Sequence, residues 1–133
     1  MKRQHGAECP CGSGRPYARC CQPLHLGAPA PDAQALMRSR YSAYVLGLEP
    51  YLLGTWHPST RPERLDLAAA AAPNWLGLEV RRHEPGGPDE AIVEFVARYR
   101  LGGRGHRLHE VSRFLCESGR WLYVGGEFPD GRG

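Results

Sequence analysis

The stretch Ala91-Ile92-Val93-Glu94-Phe95-Val96-Ala97-Arg98-Tyr99-Arg100-Leu101 decides the fold. Val93, Phe95, Ala97 and Tyr99 fall on one face of a strand, and Glu94, Val96 and Arg98 on the other. Both flanks supply antiparallel partners. Upstream, Trp75 to Val80 suits a strand, and Glu84 to Asp89 reads as a turn. Downstream, Gly102-Gly103-Arg104-Gly105 reads as a hairpin loop. His106 to Glu117 and Arg120 to Gly126 then complete a meander around a two-residue turn at Ser118-Gly119.

The residues before this sheet carry helical signals. Asp32 suits an N-cap for a helix through Leu46, on which Met37, Tyr41, Tyr44 and Leu48 share a face and Gly47 makes the end. Pro50 opens a short helix that stops at Gly54, and Trp56-His57-Pro58 is expected to be extended. A third helix is expected from Pro62 to Ala72, ended by Pro73. Three helices followed by about four antiparallel strands make an α+β layout. Residues 22–31, with three prolines, read as a linker.

The chain of 133 residues suits one main domain with a small appendage, and its 41 % hydrophobic and 23 % charged residues are ordinary for a globular protein. No apolar run reaches the length of a membrane span, and the start Met-Lys-Arg-Gln-His-Gly does not resemble a signal peptide, so the expected location is cytoplasmic, with no membrane insertion. Lys2, Arg3, Arg15 and Arg19 against Glu8 give residues 1–24 all of the chain's net +3. A basic body-wide nucleic-acid surface is therefore not expected, while a basic N-terminal segment can meet an acidic protein face or make a weak, salt-sensitive RNA contact.

That segment holds the densest chemistry: Cys9-Pro10-Cys11-Gly12-Ser13-Gly14-Arg15-Pro16-Tyr17-Ala18-Arg19-Cys20-Cys21. Four thiolates so close in sequence are the donor set of a tetrahedral metal site, and in a reducing compartment clustered cysteines hold metal more often than they form disulfides. Cys9, Cys11, Cys20 and Cys21 are the expected ligands, with zinc as the default metal and iron as an alternative. His5 and His25 are lesser candidates, since four cysteines already saturate the site. Residues 1–24 are expected to form this metal knuckle, and residues 25–133 the body. Cys116 reads as a buried thiol.

Cys-Pro-Cys-Gly-Ser-Gly, Tyr17 and Cys20-Cys21 resemble the SEC-C motif, named for the C-terminus of the preprotein translocase ATPase SecA, where the last ligand is often His; here it is Cys21. Leu36 to Tyr44, Thr55 to Pro58, Glu94 to Tyr99 and His109 to Phe114 resemble the YchJ-like family of small bacterial SEC-C proteins. The resemblance implies a cone-shaped nuclear-transport-factor-2-like (NTF2-like) domain and a bound metal, but no reaction. For the knuckle it implies a protein or ribosomal partner, and Arg15 and Arg19 are the expected docking residues. An exposed sheet face makes a homodimer an expectation by analogy.

A sheet capped by helices usually encloses a pocket. Its expected lining is Arg38, Tyr41, Tyr44, Trp56, His57, Trp75, Glu94, Arg98, His109, Ser112 and Trp121, with Arg40, Glu110 and Arg113 as further candidates. Arg38 is preferred over Arg40 as the inward arginine, being three residues from Tyr41. Two functions follow. The preferred one is a non-enzymatic adaptor, docked through the knuckle, whose cup binds a peptide or small ligand or dimerises. The alternative is a small enzyme with His57 or His109 as base, Glu94 or Glu110 as its partner and Arg98 holding an anionic substrate.

Overall fold

The computed structural model describes residues 8–67 and 73–130. Its sheet is a meander of β1 (Asn74–Pro85), β2 (Glu90–Leu101), β3 (Arg104–Glu117) and β4 (Arg120–Glu127), neighbours in space in the order of the chain. Three α-helices precede it: α1 (Gln22–His25), α2 (Ala33–Leu46) and α3 (Glu49–Gly54). The α+β class and the four-stranded meander are those expected.

Alternation along the strands divides the sheet into two faces. Phe95 stands opposite Glu110, Val93 opposite Ser112 and Ala97 opposite Leu108, while Phe114 stands opposite Tyr123. These residues face α2, which packs across β1, β2 and β4. Register shifts at Trp75/Gly77, Val80/Arg82 and Arg113/Phe114 bend the sheet around the helix. Ser118 and Gly119 both have positive φ, as the tight β3–β4 turn requires.

The start and end of α2 follow from its caps. The Asp32 carboxylate accepts the Ala35 N–H at 2.8 Å, and Gly47 closes the helix in the left-handed region at φ 74°. Leu36, Met37, Arg40 and Tyr41 are buried beneath it.

Two expectations about the helices are corrected. Residues 62–67 are irregular rather than the start of a third helix; residues 68–72 lie outside those described. The Glu49 carboxylate captures the N–H groups of Leu65 at 2.9 Å, Leu67 at 3.1 Å and Asp66 at 3.4 Å, so these donors do not enter a helical ladder. The third helix is instead α1, inside the segment read as a linker, with Pro23 in its first turn where a missing N–H costs nothing.

Those backbone donors hold the Glu49 carboxyl below its ordinary value, led by the Leu65 N–H. A depressed folded-state pKa contributes stability above the unfolded carboxyl value and loses it as pH falls through the folded one. Amide exchange at Leu65 and Leu67, corrected for intrinsic rates, is therefore expected to lose protection as pH falls below the ordinary glutamate range. Glu49→Gln is expected to lose most of that protection at neutral pH and to abolish its pH dependence. Equal protection in both proteins at all pH values would show that the carboxylate does not hold the loop.

Candidate functional site

The cysteine segment folds as a tight loop closed by a short 3₁₀ turn, Tyr17–Arg19. The Cys9 N–H donates to the Arg15 carbonyl at 2.9 Å, and a bridge pairs Glu8 with Pro16. The sulfurs of Cys9, Cys11, Cys20 and Cys21 all lie within 4.8 Å of one another. Cys11 to Cys20 is 3.6 Å and Cys20 to Cys21 is 4.0 Å. A Zn–S bond of about 2.3 Å in a tetrahedron sets neighbouring sulfurs about 3.8 Å apart, so the donor set fits a tetrahedral ion. Cys20 and Cys21 converge because they leave the 3₁₀ turn just before α1 begins, where no regular helix separates their directions.

The surroundings suit thiolates. Hydrogen bonding from the Cys21 thiol, and after it from Ser13 and Cys20, draws Cys11 down to about 4 against the effect of burial. Cys21 is pushed up, first by its bond to Cys11 and then by burial. One thiolate, the form that binds metal, is thus already favoured. Ser13 Oγ lies 3.1 Å and Arg15 Nη2 3.6 Å from Cys20 Sγ. From α2, the Ser42 hydroxyl donates to Cys21 Sγ at 3.4 Å and lies 3.5 Å from Cys9 Sγ.

The knuckle is anchored to the body. Arg38 Nη1 donates to the Cys11 carbonyl at 2.8 Å. Cys9, Cys11 and Cys21 belong to the same buried cluster as Leu36, Met37, Tyr41 and Phe95. His25 Nε2 lies 2.8 Å from the Ser39 carbonyl, which can only accept, so Nε2 carries the proton and Nδ1 takes the Tyr17 hydroxyl at 2.6 Å. His25 is therefore a brace between knuckle and α2 and not a fifth metal ligand. His5 lies outside the described residues.

A cavity of about 270 Å³ lies between α2 and the inner face of the sheet. Tyr41, Tyr44, Trp56, Trp75 and Ser112 line it, together with Met37, Phe95, Ala97, Leu108 and Phe114. Its charged residues are Arg40 and Glu110, and Tyr123 lies between them. Arg40 is only 6 % exposed; its Nη1 donates to the Leu52 carbonyl at 2.8 Å and the Thr55 hydroxyl at 2.6 Å. Its guanidinium carbon stands 5.1 Å from the Trp56 ring and 4.6 Å from the Tyr123 ring. Burial draws the Arg40 pKa down from the ordinary guanidinium value. Tyr123 donates to Glu110 Oε2 at 2.7 Å, and burial, with the neighbouring carboxylate, pushes its pKa up. A Cβ on Gly126 would collide with the Glu110 carboxylate, approaching its Cγ to 2.8 Å, so glycine there makes room for the acid.

Several expected pocket residues are corrected. Arg38 serves the knuckle, and Arg40 is the inward arginine, because position 40 lies under α2 toward α3 while position 38 faces the cysteine loop. Glu94, Arg98 and His109 lie on the opposite face of the sheet, forced outward by the parity that turns Phe95 and Glu110 inward. There His109 Nε2 meets Glu94 Oε2 at 2.6 Å, Arg82 meets Glu94 at 3.0 Å, and Asp130 reaches His109 Nδ1 at 3.1 Å. His109 first, then Arg82, holds the Glu94 carboxyl below its ordinary value. Arg98 stands 4.0 Å from Glu79 at the surface. Trp121 lines a separate hollow with Leu24, His25 and Leu122.

His57 also lies outside the cavity. Its Nδ1 accepts the Ser59 N–H at 3.1 Å and lies 2.8 Å from Ser59 Oγ, while Nε2 meets Glu117 at 2.8 Å. Trp56 pairs with Tyr123 along the edge of the sheet, a partner that local sequence does not specify, and this turns His57 away from the cup. His109 and Glu94 do pair, but on the outer face; His57 turns to Glu117, Arg98 to Glu79 and Glu110 to Tyr123, so the expected acid–base set of His57 or His109 with Glu94 or Glu110 and Arg98 does not assemble inside the cup. Tyr123 escaped the sequence reading, although its alternation with Trp121 marks it as inward.

A closed four-cysteine loop fused to a helix-capped antiparallel meander defines a class: a SEC-C motif joined to an NTF2-like domain. Residues 7–23 match the SEC-C motif, and residues 32–126 match the family described as the middle NTF2-like domain of YchJ. A UPF0225 protein of Chromobacterium violaceum is 60 % identical over 131 residues, covering 94 % of this chain and 96 % of its own. The solution structure of a SEC-C motif containing protein from Rhodopseudomonas palustris superposes with a TM-score of 0.77 at 34 % identity, covering 90 % of this chain and 97 % of that one. The crystal structure of a SEC-C motif containing protein from Psychrobacter arcticus gives 0.74 at 32 % identity, covering 87 % and 79 %. The chain belongs to the YchJ-like, UPF0225 family of SEC-C proteins. Among the described residues no helix is long and apolar enough to cross a membrane.

Proposed function

We infer that this protein is a non-enzymatic binding adaptor built around a structural zinc centre. The carrying observation is the convergence of four cysteine sulfurs within 4.8 Å of one another, three of the cysteines being buried. Four thiolates fill a tetrahedral ion and leave no coordination position for a substrate, so the metal would order the loop and not carry a reaction. Sulfur-only ligation favours zinc, with iron as the other occupant of such sets.

Arg15 and Arg19 are exposed on the outer side of this loop. They would face an acidic protein or ribonucleoprotein surface, while the cup holds a small ligand. Elemental analysis of protein purified without added metal tests the centre: about one zinc per chain is expected, absent from Cys9→Ser/Cys11→Ser. Docking is tested by affinity capture with Arg15→Gln/Arg19→Glu, measured beside its metal content because Arg15 also contacts Cys20. Partners seen with the unaltered chain are expected to disappear while zinc is retained. Undiminished capture by the variant would overturn the docking.

A further inference from the structure

We propose that the cavity between α2 and the sheet is a binding site for a small, uncharged ring compound bearing an amide or lactam, with its carbonyl oxygen on Arg40 and its N–H on Glu110. This deepens, and rests on, the reading that the cup holds a small ligand. The argument begins with two opposite charges that share one cavity without touching. Arg40 and Glu110 are 6 % and 7 % exposed, yet no ion pair within 4.0 Å joins them. Their remaining hydrogen-bonding capacity is specific. Arg40 spends Nη1 on Leu52 and Thr55, and its Nε and Nη2 have no hydrogen-bond partner among the described residues. Glu110 receives Tyr123 on Oε2, leaving Oε1 as an acceptor. The Ser112 hydroxyl, 1 % exposed and on the cavity wall, also has no partner among the described residues. Buried groups of this kind carry a desolvation cost until something meets them.

The complement must offer an acceptor to the guanidinium and a donor to the carboxylate. An anion would gain from Arg40 but meet Glu110 as a like charge, and a cation would suffer the reverse. A neutral amide satisfies both, because its C=O and N–H are adjacent and oppositely polarised. The remaining walls, with Tyr41, Trp75, Phe95 and Phe114, are aromatic and suit a flat apolar ring. A volume of about 270 Å³ admits a molecule on the order of ten to fifteen non-hydrogen atoms.

Benzamide, benzoate and benzylamine share a ring and differ in the group they bring to this pair. Each would be titrated into the full, metal-loaded chain while the backbone amide signals of Phe95, Glu110, Ser112 and Tyr123 are followed by NMR. Benzamide is expected to shift these signals and to bind at least about tenfold more tightly than either ion. Glu110→Gln is expected to reverse the order, weakening benzamide about tenfold and strengthening benzoate, since a side-chain N–H replaces the repelling oxygen. A merely structural role for Glu110 would weaken all three probes together and would overturn the assignment. Benzoate or benzylamine binding the unaltered chain as tightly as benzamide would overturn the amide class but leave the cup a ligand site. No shift with any probe would overturn both readings. The ranking on the unaltered chain decides the matter even if Glu110→Gln fails to fold.

Discussion

With the proposed metal centre in place, chelation or Cys9→Ser/Cys11→Ser is expected to lower the melting temperature by on the order of 15 °C, equivalent to about 4 kcal/mol for a domain of this size. The size of the effect follows from where the ligands lie. Cys9, Cys11 and Cys21 are 4 %, 0 % and 3 % exposed and pack with Leu36, Met37 and Tyr41, so a loosened loop opens the core of the body. Structural zinc contributes about 10–16 kcal/mol in isolated finger peptides that have no other core. Here the sheet and α2 retain packing of their own, and the expected loss is a fraction of that figure. Scanning calorimetry of the loaded and stripped chain, with metal content measured on each, checks it. An unchanged melting temperature after metal loss would mean that the thiols pack adequately alone.

Arg40→Ala is expected to cost about 3–5 kcal/mol, the range for removing one member of a buried charged network. Three losses coincide. The Leu52 carbonyl and the Thr55 hydroxyl lose a charged donor, the Trp56 and Tyr123 rings lose the cation between them, and the buried Glu110 loses its nearby opposite charge. Arg40→Lys is expected to recover only part of this, because an ammonium lacks the planar fork that stacks on rings while donating sideways. Urea unfolding checks both: the midpoint should fall with little change in slope. An unfolding free energy for Arg40→Ala within about 0.5 kcal/mol of the parent would show that the arginine is a spectator.

Much of this architecture was legible in the chain. Alternation over residues 91–101 divided the two faces correctly, though it did not say which one turns inward, and the same alternation places Glu110 with Leu108 and Phe114. The error over Glu94, Arg98 and His109 came from giving their chemistry precedence over their parity. In a strand parity wins, because shifting one side chain to the other face would shift them all. The missing helix at 62–67 had no readable signal: its competitor was Glu49, more than a dozen residues away, which captures three N–H groups that local propensity assigns to a helix. The choice between Arg38 and Arg40 was equally closed to periodicity, since both flank Ser39 and both find buried work on different sides of α2.

By itself the sequence determined the four-cysteine cluster, the caps of α2 and the strand periodicity, because each depends on residue identities at short fixed spacing. Only the tertiary structure decided that the knuckle shares the body's core, that Arg40 and Glu110 line one cavity and that Glu94 and His109 pair outside it. Those facts depend on which surfaces pack together, and burial, register and desolvation are settled between residues far apart in the chain.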